Sequence, residues 1–136
     1  MTVYKINDLV KFDFIKIPKT LFANPKYKEM SSDAKLTYAL LYDRLSLSIQ
    51  NNWINADGEV YLVYTRGAIA EDLGITYKKA IAAFKELKEN HLIIDKQCGH
   101  GMPNYIFIVK PELSDTEAKK YTNKENSRPA EMECLD

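Results

Sequence analysis

Apolar side chains fall three and four apart between residues 32 and 50: Tyr38, Leu41, Tyr42, Leu45 and Ile49 share one stripe. The pattern predicts a long helix from Ser32, with Asp33 at its positive end. Leu36, Leu40 and Leu47 lie off that stripe, more apolar surface than one face needs, so the helix is either central in the core or shared with a second subunit. Ahead of it, "FDFIKI" (12–17) predicts a short strand that Pro18 stops, and "PKTLFANPKYKEM" an irregular segment pinned by Leu21, Phe22 and Tyr27. Behind it, Asp57-Gly58 is a turn signal between two β-like runs, with Val60 to Tyr64 as the clearer strand.

The next forty residues change period twice. Thr65 can cap a helix running to about Leu73, Gly74 can take the positive φ that ends it, Ile75 is expected to be buried, and Thr76 can cap a second helix to about Glu89. Ala80, Phe84 and Leu87 form the inner stripe of that second helix. Leu92, Ile93 and Ile94, the glycine loop "DKQCGHGMPN" and "YIFIV" then make a β-hairpin. Helix, strand, helix, tight turn, helix and hairpin is the order of an α+β winged helix-turn-helix, here with an N-terminal strand and a C-terminal β-hairpin wing over residues 1–111. Residues 112–136 turn polar, with one helical turn or two at most, and read as a flexible linker or tail.

Composition limits the function. A chain of 136 residues with 46% hydrophobic and 28% charged residues is one globular domain with room for a core. The net charge of zero hides a gradient: residues 1–111 hold 15 bases and 12 acids (+3), residues 112–136 hold 4 and 7 (−3). A mildly basic body points weakly to a polyanion. Two distant cysteines, Cys98 and Cys134, exclude a disulfide framework and fit a reducing compartment. With neither a leader-like start nor an apolar run of about 18 residues, the expected location is cytoplasmic.

In a helix-turn-helix the inner stripe of the second helix locks onto the first, leaving its front and outer residues for the major groove. Here Tyr77, Lys78 and Ala82 project near the helix start, flanked by Lys79, Ile81 and Lys85. Four lysines stand against two glutamates between Thr76 and His91, and both glutamates lie in the rear half. Thr76 offers a hydroxyl and free N–H groups to a phosphate; Lys78 and Lys79 can reach phosphate or guanine edges, and Tyr77 and Ala82 a thymine methyl or a sugar. Lys96, His100 and Asn104 are the wing candidates, and Arg66 opens the helix that crosses the DNA backbone.

No enzyme is expected. Cys98 and His100 belong to no four-ligand set, so no metal site is predicted, and no glycine motif cradles a phosphate or cofactor. Glu71 and Asp72 are adjacent and face different ways on a helix.

The run "IPKTLFANPKYKEMSSDAKLTYALLYDRLSLSIQNNWINADGEVYLVYTR", continued by "AEDLGITYKKAIAAFKELKEN" and "GMPNYIFIVKP", resembles the N-terminal domain of the replication initiator A family of Gram-positive plasmids. The most specific parts are "DAKLTYALLYDRLSLS" and "VYLVYTR". The resemblance implies a winged helix that binds double-stranded DNA at repeated origin sites, usually as a dimer. It also implies a linker to a C-terminal domain that engages host replication proteins and lies beyond this chain. It carries Thr76 to Lys79 over as recognition-helix residues and Gly99 to Asn104 as the wing. His91 stands where winged helices often use glycine, a position a histidine fills at some strain. Two further readings of the same fold are a transcriptional repressor and a protein-interaction module that does not bind DNA.

Overall fold

The computed structural model describes residues 2–8, 13–97 and 99–126, with side chains to residue 120. After a single 3-10 turn (Ile6–Asp8), the segment expected to be irregular contains two short helices, α1 (Thr20–Ala23) and α2 (Pro25–Lys28). Asn24 separates them: its side chain accepts from Lys26 N, and Pro25 has a φ already suited to a first helical position. Leu21 and Tyr27 pin this segment to the core as expected, but Phe22 is half exposed, with Lys35 Nζ 4.9 Å above its ring.

The N-terminal strand expected at 12–17 is absent at residues 13–17, Phe12 being outside the described residues. An extended apolar run becomes a strand only with a ladder partner, and here Phe14 and Ile15 remain exposed while Ile17 packs on the core.

The long helix is two. α3 (Ser32–Asp43) is capped by Ser31, whose Oγ accepts from Ala34 N at 3.1 Å, and α4 (Leu45–Gln50) follows a break at Arg44. The Arg44 N–H is shared between Leu40 O and Leu41 O, and its guanidinium lies 4.3 Å from the Tyr64 ring centre. Tyr38 and Leu41 are buried and Leu40 packs on the core, whereas Leu36, Tyr42, Leu47 and Ile49 face outward.

The expected strand at 60–64 is reduced to single bridges, Ile54 to Val60 around the Gly58 turn and Leu62 to Ile106. α5 (Arg66–Leu73) and α6 (Tyr77–Glu89) have the predicted bounds. Thr65 Oγ1 accepts from Ala68 N at 3.0 Å and Thr76 Oγ1 from Lys79 N at 3.2 Å, and Gly74 holds φ 69° between the helices. Ala80, Ala83, Phe84 and Leu87 form the fully buried face of α6, packed on α3 and α5; Ile75 is only partly buried.

β1 (Ile93–Lys96) pairs antiparallel with β2 (Tyr105–Ile108), Ile93 opposite Ile108 and Lys96 opposite Tyr105. Leu62 exchanges both backbone bonds with Ile106 on the other edge of β2, at 2.9 and 2.8 Å, giving the wing a third, one-residue strand. The architecture is a winged helix-turn-helix. Past Pro111, where at most two helical turns were expected, α7 spans Asp115–Asn126. The chain is tied to the body before it: Glu112 O accepts from Asn24 Nδ2 at 2.9 Å and Thr20 Oγ1 at 3.1 Å, and Lys26 pairs with Glu112 at 2.9 Å. No helix among the described residues is long and apolar enough to cross a membrane.

Candidate nucleic-acid interface

With about 100° per residue, burial of Ala80, Ala83, Phe84 and Leu87 turns Lys78, Ala82, Lys85 and Glu89 into the opposite, exposed stripe of α6. Ile81 and Tyr77 are exposed beside it, 44% and 59%, and Lys79 stands exposed on the far flank. The first of the two glutamates is turned towards α3: Glu86 accepts from Ser31 N at 2.9 Å and Ser31 Oγ at 2.5 Å, binding α6 to the start of α3. The outer face is therefore more basic towards its front than the four-to-two count suggests.

The Thr76 hydroxyl is used as an acceptor by its own helix and keeps its proton for an incoming anion. The first N–H groups of an α-helix have no intrahelical partner, so the α6 start is electropositive. Tyr77 faces the wing across a cleft there. It lines this cleft of 160 Å³ with Thr65, Arg66, Gly67, Pro103 and Asn104, so three of the predicted residues, Arg66, Tyr77 and Asn104, come together.

Others do not converge. Alternation along β1 turns Asp95 inward, towards α5 and α6, and Lys96 to the opposite face beside Tyr105. Lys96 lines a separate groove with Tyr61, Gln97 and Tyr105, where Tyr61 stacks on Tyr105 at 4.5 Å and on Trp53 at 6.3 Å. His100 is exposed at the wing tip; Cys98 lies outside the described residues. Among the described residues no group of three acids, histidines or cysteines is placed to hold a metal.

Arg66 also has partners within the protein that its place in the sequence does not suggest. Its Nη2 donates to Asp95 Oδ2 at 2.6 Å and its guanidinium lies 4.4 Å from the Phe84 ring centre, so its charge is engaged within the protein. Arg44 is likewise turned inward, leaving lysines on the outer face. Asp95 lies in a different element from Arg66, and no local spacing pairs it with a residue 29 positions away. Tyr64, at the edge of the cleft, donates its phenol to Asp72 Oδ2; burial and that bond push its pKa up to about 12.

Residues 13–123 match the family described as "Replication initiator protein A (RepA) N-terminus". The chain belongs to that family. Among curated relatives, this replication-initiator domain is 31% identical over 110 residues to a 41 kDa protein of Lactobacillus helveticus, an alignment that takes in 76% of the chain. The chain spans about a third of that relative, 31% of its length. Three solved structures are similar throughout. One, described as the N-terminal domain of a DNA-binding protein, has a TM-score of 0.74 at 32% identity over 95% of this chain and 98% of that one. A second, of a Rep–DNA complex, has 0.73 at 33% identity over 94% and 98%. A third, of an MDR initiator, has 0.71 at 36% identity over 93% and 100%.

Proposed function

We propose that this domain binds double-stranded DNA at repeated sites in a plasmid replication origin and so initiates replication. The observation that carries the reading is the outer stripe of α6, Lys78, Ala82 and Lys85, standing free of the core beside an electropositive helix start. Membership of the replication-initiator family, and similarity to a chain solved in a Rep–DNA complex, support it. In the proposed complex α6 enters the major groove, Tyr77, Lys78 and Ala82 meet base edges or sugars, and Thr76, Lys79 and Lys85 meet phosphates. Asn104 and His100 reach the flanking backbone, and Lys96 contributes from the outer face of the wing. Footprinting on the DNA around the chain's own gene tests it: protection over two or more related repeats supports an origin binder, and protection of one promoter-proximal site supports the repressor reading.

The domain acts as a homodimer in this proposal. An apolar groove of 750 Å³ runs between Ile17, Pro18, Tyr38, Tyr42 and the outer hairpin residues Ile94 and Phe107. Val3, Ile6, Phe14 and Ile15, close by in sequence, expose apolar side chains, and a second copy's N-terminal segment takes that groove in the dimer. Exposed Leu36 and Leu47 extend the contact. The remaining part of a longer initiator, beyond the third that this chain spans, recruits host replication proteins in the cytoplasm.

A further inference from the structure

Asp95 lies on β1 with its side chain 2% exposed, where an unpaired carboxylate is strongly disfavoured. Oδ2 accepts from Arg66 Nη2 at 2.6 Å, with Lys88 Nζ 3.9 Å away. Oδ1 is buried and has no hydrogen-bond partner among the described residues. Arg66 is held from a second side by the Phe84 ring. The first turn of α5, the last turn of α6 and the first strand of the wing thus meet at one carboxylate.

We infer that Arg66 is a positioning residue: its bond to Asp95 sets the wing against the recognition helix and fixes the distance between their DNA contacts. The inference rests on the DNA-binding reading above and takes Arg66 off the phosphate. Swinging out to a phosphate would strip Arg66 from the Phe84 ring and leave Asp95 buried with only the more distant Lys88. The wing, in turn, is held on its outer face by the Tyr61–Tyr105 stack and at its inner edge by Leu62. Its strands are four residues each and its third strand is the single Leu62 bridge, so a charge pair next to the loop controls its angle. Arg66 also lines the cleft across which Tyr77 faces the wing, so a change in that angle alters the gap between helix and wing.

The test compares the wild-type chain with Arg66→Gln, Asp95→Asn and the double variant. Each is titrated over a salt series with a labelled duplex from the footprinted region and a random-sequence duplex of equal length. Positioning predicts that either single change weakens specific binding about tenfold and that the double variant is no weaker than the singles, because both remove one coupling. A drop in salt slope of about one for Arg66→Gln alone, with Asp95→Asn binding as well as wild type or better, marks a direct phosphate contact and overturns the inference. Unchanged affinity in all three variants overturns it too. Should Arg66→Gln fail to fold, Arg66→Lys keeps the charge a phosphate needs and loses the fork and ring contact. Weakened binding by that variant supports positioning, and wild-type binding overturns it. A wild-type chain that binds neither duplex removes the DNA-binding reading itself, an outcome distinct from any difference among variants.

Discussion

Thr65, Gly74 and Thr76 hold the helix-turn-helix through partners three or four residues away: Ala68 N, Ala70 O and Lys79 N. The wing beside it is held by Leu62 and Arg66, which reach across to Ile106 and Asp95 from other elements. The turns of one region are set by independent local devices, while the seating of the other on the body rests on a few shared long-range ones. Loss of a single local device should therefore cost little, while loss of one long-range partner should leave another buried and unpaired.

The largest effect is expected at the wing. Arg66→Ala strands a carboxylate that is 2% exposed and should destabilise the domain by about 3 kcal/mol, the low end for breaking a buried pair because Lys88 stays nearby. Replacing both partners, Arg66→Met with Asp95→Leu, should restore most of that loss. Urea unfolding measures both; a cost for Arg66→Ala below about 1 kcal/mol would erase the contrast between the two regions.

In the helix-turn-helix, Thr76→Ala removes one cap and should cost about 1 kcal/mol in the same measurement. Gly74→Ala meets open space, so its cost is conformational, about 1 kcal/mol for a side chain at φ 69°. If either exceeds the Arg66→Ala loss, local devices are not the cheaper ones.

His91, with φ 57°, joins the two regions. A non-glycine residue there carries about 1 kcal/mol of strain, and glycine recovers it minus its own extra entropy, so His91→Gly should stabilise by about 0.5 kcal/mol. A destabilised variant would show that the ring makes a contact worth more than the strain.

The smallest effect is at the far end of the body. The Thr20 hydroxyl, whose one proton is shared between Glu117 Oε1 at 2.8 Å and Glu112 O at 3.1 Å, and the Ser114 N–H hold the Glu117 carboxyl below its ordinary range; the Lys26 ammonium does the same for Glu112. A depressed folded-state pKa contributes stability that is present above the ordinary value, 4.5, and is lost as pH falls through the folded value. Amide protection near Ala118, taken relative to the intrinsic exchange rate at each pH, should therefore fall below pH 4.5, before that of α3 and α6 changes. Simultaneous loss of protection everywhere would show that these carboxyls do not latch α7.

The same division explains what the sequence revealed. Caps, the glycine turn and the 80–84–87 stripe act within one or two helical turns, so α5, α6 and the hairpin were legible with nearly their observed bounds. Phe14 and Ile15 have strand character, but a strand also needs a neighbour that no pattern in 13–17 specifies. The break at Arg44 arises where its guanidinium meets Tyr64, and the contacts of Glu112 with Thr20 and Asn24 span most of the chain. Of the candidate site, the front of α6 was legible as a basic, exposed face. Arg66 is a phosphate candidate by its place at the start of α5, and Asp95, which binds it within the protein, lies in another element that no local pattern points to.

The most direct measurement is duplex affinity against salt for the wild-type chain and for Lys78→Ala and Lys88→Ala. Lys78 lies on the outer stripe, and Lys88 stands towards Asp95 at 3.9 Å. Binding by α6 predicts a steep fall of affinity with salt for the wild type. Lys78→Ala should either lose about 1–3 kcal/mol at the specific site or lower the salt slope by about one, with little change for Lys88→Ala. A wild-type affinity that does not respond to salt, or equal and negligible effects of the two lysines, would contradict the assignment of α6 as the helix that reads DNA.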